Sequence, residues 1–269
     1  RNRSKNMRRW FCLPLACCCL TLTVAGPLWA YEATDRWHWT ATNGSTGPWG
    51  TPVTLSWSIA ADGTQVPDGS SLVSSDLIAM LDAEFGAGPG GDDYTLRPWF
   101  SIFSDSYTRL SELAGLDFVY EPNDDGVNFS NSSSARGQLG VRGDLRLGGR
   151  TYGECSTTLA SNYFPDYGEM ILNTDRGSYF DNSPNNYRGF RNTIMHETLH
   201  GLGVSHVSAA SPGFLMEPLI TTSFDGPQLD DILAMHRLYG DVYEKNGGNN
   251  SYATATPLGV VHTSQVAAI

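Results

Sequence analysis

Three histidines within residues 196–206 have the spacing of a metal site. His196 and His200 are four residues apart, so on a helix their imidazoles lie on one face and point at a common position. Neutral imidazole nitrogens bind zinc at about 2.0–2.1 Å. If the helix continued, His206 would lie roughly 15 Å along the axis from His196. We therefore expect the helix to end near Gly203, which can turn the chain so that His206 supplies a third ligand.

Glu197, beside the first histidine, has the chemistry of a general base. Three protein ligands leave the fourth tetrahedral position to water, as in catalytic rather than structural zinc sites. Zinc lowers the pKa of such a water towards about 7 and polarises a carbonyl group, and a carboxylate can carry the water's proton to a leaving amine. A His-Glu-x-x-His pentad alone also occurs in ordinary amphipathic helices. The added Gly203 and His206 favour the zinc site over that alternative.

Alternating apolar and polar residues upstream of the histidines predict the start of a sheet. Residues 53–59 alternate at period two, which indicates a half-buried strand that ends at a turn at Asp62. Residues 77–85 have helical spacing, and Ser74 and Ser75 are the expected N-terminal caps of that helix.

The remaining pattern predicts further helices and strands around the metal helix. They are a helix over 98–110 with Gly115 beyond its end, strands over 116–120, 159–164 and 169–174, one strand within the loop-rich residues 126–150, and a final helix over 229–239 ended by Gly240. Strands and helices in this mixed order indicate an α/β or α+β domain with a mixed twisted sheet and three or four helices.

The acidic composition argues against nucleic-acid and membrane partners. The chain has 17 Lys and Arg residues against 28 Asp and Glu, a formal charge of −11. Five of the basic residues lie in residues 1–30, so the chain beyond that segment has 12 basic against 28 acidic residues and a charge of −16. Such a field repels nucleic acid and anionic membranes. We expect a monomer with no nucleic-acid partner and no membrane attachment after signal removal.

Residues 1–30 have the pattern of an export signal. Two arginines precede an apolar stretch over residues 10–24, and Ala30 is the expected cleavage point. A lipid-attached N-terminus at Cys17 is the alternative, which Pro14 disfavours because a lipobox has an aliphatic residue at that position. We therefore expect a secreted, extracellular protein.

Several other ionisable residues are candidates for binding or structure. Cys155 is the single cysteine expected in the mature chain, and we favour a small apolar role for it over a role as a latency ligand of the zinc. Five loop aspartates are candidates for a calcium site, although turn formation is the favoured interpretation: Asp124, Asp125, Asp144, Asp166 and Asp175. We expect no ligand role for His38, His236 and His262.

Residues 196–206 resemble the elongated zinc motif of the metzincin metallopeptidases, and within them the matrixins. Residues 214–218, Phe-Leu-Met-Glu-Pro, resemble the family's Met-turn, and residues 231–240 resemble the matrixin C-terminal helix. Residues 159–165 and 168–174 resemble the edge strand and the next strand above the substrate cleft. Together these similarities cover about residues 50–241.

This resemblance implies a metzincin-like zinc peptidase domain in which Met216 forms a hydrophobic floor beneath the metal. Residues 252–259 resemble the opening of the bacterial pre-peptidase C-terminal domain. The resulting division is a signal peptide at 1–30, an irregular lead-in at 31–50, a catalytic domain at 51–241, and a linker with the start of a C-terminal domain at 242–269.

The expected function is a secreted zinc endopeptidase that hydrolyses internal bonds of extended protein or peptide substrates. The alternative is a secreted binding or adhesion module that keeps the fold and has lost catalysis. Retention of Glu197 with all three histidines argues against that alternative, since a binding module has no chemical need for the base. A zinc hydrolase of another substrate class is disfavoured by the matrixin-like ending at residues 231–240.

Overall fold

A computed structural model describes residues 31–130, 135–153, 155–181, 185–208, 213–249 and 251–257. The predicted signal peptide at residues 1–30 and His262 lie outside the described residues. The strands are β1 Glu32–Ala33, β2 Trp39–Thr40, β3 Gly44–Ser45, β4 Val53–Ile59, β5 Gln65–Asp68, β6 Ser71–Ser74, β7 Leu116–Tyr120, β8 Leu145–Arg150, β9 Ala160–Asn162, β10 Met170–Asn173 and β11 Val204–Ser205. The helices are α1 Leu77–Phe85, α2 Phe100–Leu113, α3 Gly177–Phe180, α4 Arg188–Gly201 and α5 Leu229–Tyr239.

The main sheet has five strands in the order β7-β4-β8-β10-β9. The first four strands are parallel to their neighbours, and β9 pairs antiparallel with β10 at the edge. Three two-stranded pairs, β1-β11, β2-β3 and β5-β6, complete the strand pairing. The fold is therefore mixed α/β, as predicted, and its main sheet is mostly parallel. The described residues form five helices rather than the three or four expected, because the polar loop before α4 contains the four-residue α3.

Both faces of the sheet are covered, because consecutive β8 residues meet different layers. A Cβ on Gly149 would contact Leu77 of α1, in the main core that the sheet shares with the helices, whereas a Cβ on Gly148 would contact Phe129 and Val66 of a smaller core. Parallel sheets are usually buried on both faces in this way.

The prediction that strand 53–59 is half-buried is wrong. Its apolar residues join the main core, but Ser56 and Ser58 on the other face are also buried. Ser56 Oγ donates to Asp144 (2.8 Å) and Ser58 Oγ donates to Asp124 (2.7 Å). The alternating serines therefore mark a polar layer under loops rather than a solvent-facing surface.

The expected serine caps of α1 are found only in part: Ser75 Oγ accepts from the Leu77 N–H at a long 3.5 Å. The backbone N–H groups of Ile78 and Ala79 donate to the two carboxylate oxygens of Asp62, at 2.9 and 2.8 Å. Asp62 thus satisfies two of the four free N–H groups at the start of the helix from a turn that lies before β5.

Within the described ranges, no helix is long and apolar enough to cross a membrane.

The segments on either side of the predicted catalytic domain pack on it. Residues 31–50 carry β1, β2 and β3. The first of these pairs with β11, which lies between the second and third histidines of residues 196–206. After α5, Lys245 Nζ donates to the Ser111 carbonyl (2.6 Å) and to the Asp117 carboxylate (2.9 Å). Residues 258–269, which include the end of the predicted C-terminal segment, lie outside the described part of the chain.

Candidate metal centre

The α4 helix presents the first two histidines and ends where the sequence predicts. His196 and His200 lie on one face of α4, and their ring centroids are 4.8 Å apart. Gly203 follows the helix with φ +97°, and its N–H donates to the His200 carbonyl at 2.9 Å. The chain then turns back through β11 and brings His206 to the other two histidines. The predicted role of Gly203 in ending the helix is confirmed.

The three imidazoles converge through one nitrogen each. His206 Nε2 lies 3.1 Å from His196 Nε2 and 3.0 Å from His200 Nε2. Two nitrogens that bind one tetrahedral zinc ion at about 2.0–2.1 Å lie about 3.3 Å apart. The three histidines therefore lie close enough together to hold a single metal ion.

Backbone carbonyls fix which ring nitrogen of α4's histidines faces the centre. His196 Nδ1 lies 2.7 Å from the Leu215 carbonyl oxygen, and His200 Nδ1 lies 2.8 Å from the Val204 carbonyl oxygen. A carbonyl oxygen only accepts, so each Nδ1 carries the proton and each neutral ring turns the Nε2 lone pair towards the centre. The unprotonated Nε2 atoms of His196 and His200 thus both point at the space beside His206 Nε2, where they are available to bind a cation. The donor set therefore fits a metal ion.

Burial keeps the histidines neutral. It lowers the pKa of His196 to about 3 and that of His200 to about 4, with the neighbouring histidines as further causes. Burial also lowers the pKa of His206, which is the most exposed of the three. Neutral imidazole is the form that binds a metal, so the rings are ready to ligate at neutral pH.

Glu197 lies in the same cleft as the histidines. The cleft has a volume of about 830 Å³, and its lining includes Glu197, residues 157–162 around β9, and residues 218–220 after the Met-turn sequence. Only 7% of Glu197 is exposed, and desolvation by burial raises the pKa of its carboxyl group to about 8. Phe164 stands beside His200 with ring centroids 5.6 Å apart. A buried carboxyl group thus lies beside a metal-binding cluster, in a cleft bordered by an edge strand.

The turn at residues 214–218 supports the centre from below α4. The Leu215 carbonyl oxygen accepts a hydrogen bond from His196 Nδ1. The Met216 carbonyl oxygen accepts from the Val207 N–H at 2.9 Å, and Val207 directly follows His206. Met216 is 1% exposed and belongs to the main core. One turn of chain therefore contacts the first histidine directly and the third through its neighbour.

Asp231 is a supporting residue whose role the sequence interpretation missed. Its carboxylate accepts from the N–H groups of Leu215 (2.7 Å) and Met216 (3.1 Å), and also from Gln228 N–H (2.8 Å). Asp231 is 2% exposed and lies in the first turn of α5. From the sequence, an acidic residue in the first turn of a helix is interpreted as a helix cap. Its hydrogen bonds with the backbone of residues 215 and 216 depend on tertiary packing, which the sequence pattern does not reveal.

The remaining candidates do not join the metal centre. The histidine trio is the one group of three or more His, Cys, Asp or Glu ligands that the described residues gather. The five loop aspartates instead accept hydrogen bonds or pair with arginine: Asp124 with Arg146, Asp125 with Arg142, Asp144 with Ser56, Asp166 with His38 N–H, and Asp175 with Tyr152 and Gly153 N–H. They therefore offer no clustered calcium site among the described residues.

Cys155 and the two other described histidines have separate positions. Cys155 is a free, exposed thiol, so the expectation that it packs as a small apolar side chain is wrong. His38 is exposed, and His236 Nε2 lies 2.7 Å from the Leu113 carbonyl, where it ties α5 to the end of α2. Neither histidine belongs to the metal-binding group.

No protein-family model matches the chain, and no curated protein matches it. The interpretation of function therefore depends on the convergent histidines, Glu197 and the cleft that contains them.

Proposed function

We propose that this protein is a secreted zinc-dependent endopeptidase of the metzincin type, similar to the matrixins. The single observation that carries the proposal is the convergence of three imidazole Nε2 atoms beside a buried glutamate in an open cleft. His196, His200 and His206 are the zinc ligands, and the cleft leaves room beside them for water and substrate. The sequence pattern of residues 1–30 supports secretion.

Glu197 is the proposed general base. When bound, zinc supplies Lewis acidity, which makes a water more acidic and polarises a carbonyl group. Glu197 takes the proton of the attacking water on its carboxylate and later gives it to the leaving amine nitrogen. A carboxyl group with its pKa raised to about 8 by burial is mostly protonated at neutral pH, and a nearby positive charge would favour its ionised form. The basicity of Glu197 is thus coupled to occupation of the three histidines.

The edge strand β9 is the proposed site for the substrate backbone. β9 is the terminal strand of the main sheet, and Ala160, Ser161 and Asn162 line the cleft. An edge strand offers N–H and C=O groups to an extended peptide, which can add to the sheet as a further strand. An extended segment of a protein laid along β9 passes the histidines and Glu197. The proposed substrates are therefore internal peptide bonds of extended chains, cleaved by a monomer.

Hydrolysis of denatured casein by purified protein tests the proposal. We expect one zinc ion per chain and proteolysis that a chelator abolishes and added zinc restores. Glu197→Gln should keep zinc and lose activity by about 10²–10⁴-fold, because the amide cannot accept the water's proton. Glu112→Gln, on the exposed face of α2, is the matched control and should leave both properties unchanged.

Two outcomes separate the proposal from its alternative. Zinc binding without any hydrolysis of unfolded proteins would favour a secreted binding module that keeps the site. Activity of Glu197→Gln within tenfold of the parent would assign the base to another group.

A further inference from the structure

The end of α4 has carbonyl groups that the helix itself leaves without partners. Each of three successive carbonyls accepts a hydrogen bond from a residue remote in sequence: Gly201 from Trp37 Nε1 (2.7 Å), Leu202 from Tyr239 Oη (2.8 Å), and Gly203 from Thr34 N–H (2.8 Å) and Thr34 Oγ1 (2.9 Å). These carbonyls span the turn between the second and third histidines. Two of the three donors come from residues 34–37, which precede the whole domain.

Backbone pairing extends the same contact towards His206. In the β1-β11 pair, Glu32 lies opposite Ser205 and Ala33 lies opposite Val204. Residues 32–37 therefore hold the chain at Gly201 and from Gly203 to Ser205, and Tyr239 holds the Leu202 carbonyl between them. His206 is the next residue.

The contact leaves no space between the two segments. A Cβ on Gly203 would overlap the Asp35 carbonyl oxygen, so the backbones approach as closely as glycine allows. Trp37 and Arg36 are each 1% exposed. The Arg36 guanidinium donates to the carbonyls of Pro48 and Thr51. Residues 34–37 are thus packed firmly enough to support the turn.

We infer that residues 34–37, here called the N-terminal clasp, position the third metal ligand and thereby set the metal affinity of the site. The inference rests on the proposed metal centre. His196 and His200 are oriented by α4 and by carbonyls bonded to their Nδ1 atoms. His206 lies outside a helix and is exposed, so its place is set by the backbone on either side of it. The clasp holds one side, and the hydrogen bond from Val207 to Met216 holds the other.

Metal affinity is the property that distinguishes positioning from general stabilisation. Supporting groups that orient metal ligands typically change affinity by about 10–100-fold when they are removed. Trp37→Phe keeps an aromatic ring in the core and removes the donor to Gly201. Thr34→Val keeps the volume and removes the hydroxyl donor to Gly203, and Thr34→Ser restores that donor.

Trp99→Phe is the matched control for Trp37→Phe. Trp99, at the start of α2, is also fully buried, and its Nε1 donates to the carboxylate of Asp82 in α1 (2.8 Å). Both substitutions remove one buried indole donor, so they should cost comparable stability. Only Trp37→Phe removes a donor to the turn that carries His206.

The experiment measures zinc affinity by chelator competition, together with the visible spectrum of the cobalt-substituted protein and the thermal midpoint. We expect Trp37→Phe to bind zinc about 10–100-fold more weakly and to alter the cobalt spectrum. Thr34→Val should show a smaller loss that Thr34→Ser recovers, and Trp99→Phe should bind zinc like the parent. Thr34→Val carries the test if Trp37→Phe does not fold.

Two results would overturn the inference. Parental zinc affinity in both Trp37→Phe and Thr34→Val would show that the clasp only stabilises the fold, as would an equal loss of affinity in Trp99→Phe. A parent that binds zinc and shows the expected variant series without any proteolysis would reject the proposed peptidase function alone. A parent that binds no zinc would reject both.

Discussion

Two clusters of ionisable side chains in this molecule differ in how their polar atoms are satisfied. The aspartate–arginine cluster consists of the buried pair Asp124 and Arg146 with their hydrogen-bond partners. The Asp124 carboxylate accepts from Arg146 Nε (2.9 Å) and Nη2 (2.5 Å). It also accepts from Ser58 Oγ (2.7 Å) and from Gly126 N–H (3.0 Å). In the histidine cluster, made of His196, His200 and His206, the Nε2 atoms of His196 and His200 lie 3.1 and 3.0 Å from His206 Nε2. The first cluster is complete within the chain.

The difference shows why sequence chemistry alone does not identify a binding site. Aspartates and histidines are both potential metal ligands. A buried carboxylate that already has several donors has no lone pairs left for a cation, whereas at most one of the three converging Nε2 atoms can carry a proton to share with the others. The aspartate–arginine cluster therefore stabilises the fold, and the histidine cluster is arranged to bind something from outside the chain.

Removal of a histidine ligand should have the largest effect. His200→Ala leaves two ligands, and we expect near-complete loss of bound zinc with an intact fold, as measured by metal analysis and circular dichroism. The exposed His38→Ala is the matched control and should keep full zinc content. Unchanged zinc in His200→Ala would contradict the assignment of the metal centre.

Arg146→Met should affect stability and leave the metal untouched. Arg146 and Asp124 are buried, with side-chain exposures of 0% and 2%, so the substitution leaves an uncompensated carboxylate. Breaking such a pair typically costs about 3–5 kcal/mol of unfolding free energy. Urea unfolding measures this cost, and zinc content should stay at the parental level.

The exposed pair of Arg109 and Glu112 supplies the control for that measurement. Arg109→Met should cost less than about 1 kcal/mol, because exposed ion pairs contribute little. Equal costs for Arg109→Met and Arg146→Met would mean that the aspartate–arginine cluster does not depend on its buried charge pair.

The parts of the fold with local causes could be predicted from the sequence. The strand over 116–120 and the final helix over 229–239 match β7 and α5, since periodicity and turn residues define them. The convergence of His196 and His200 follows from helical spacing, and the turn at Gly203 follows from the need to bring His206 back. These inferences use residues that lie close together in the sequence, within one helix, one strand or one turn.

The parts with long-range causes could not be predicted. The burial of Ser56 and Ser58 depends on loops that carry Asp124 and Asp144, and the cap of α1 comes from Asp62 across the β5-β6 hairpin. The contact between Thr34 and Gly203 joins residues 169 positions apart. Sequence periodicity holds no information on such pairs. Composition therefore predicts only an irregular lead-in at residues 31–50 and does not reveal that residues 34–37 contact the turn after α4.

Glu169 interacts with the charges of the aspartate–arginine cluster, and one of its carboxyl oxygens lacks a hydrogen-bond partner among the described atoms. Protonation of Glu169 should therefore change the free energy of unfolding. Glu169 is 2% exposed, its Oε2 has no hydrogen-bond partner among the described atoms, and burial raises the pKa of its carboxyl group from 4.5 to about 7. Between these pH values the folded state holds a proton that the unfolded state has released. Stability should therefore fall as pH rises from about 4.5 to 7, by about 3 kcal/mol in total.

Glu169→Gln removes the titrating group and should flatten this part of the pH profile. Urea unfolding at several pH values compares the parent with the variant, and the difference should be largest above pH 7. The exposed Glu112→Gln should reproduce the parental profile. Parallel profiles for the parent and Glu169→Gln would show that Glu169 is not protonated preferentially in the fold.

Met216→Leu should have the smallest effect, because the contacts of Met216 with the metal centre run through its backbone. Its N–H donates to Asp231 and its carbonyl accepts from Val207, and leucine preserves both. Leucine also conserves the buried volume, so the substitution should cost less than about 1.5 kcal/mol and keep zinc content.

Met216→Asp shows whether the side chain matters as a hydrophobic floor. It places a charge without a partner at a position that is 1% exposed, and it should lower both thermal stability and zinc affinity. Leu77→Asp, at a fully buried position in α1, which packs on α3 and β8, is the control for a buried charge and should lower stability alone. Equal zinc affinity in the folded fractions of both variants would assign Met216 to the general core and leave the support of the histidines to the backbone of residues 215 and 216.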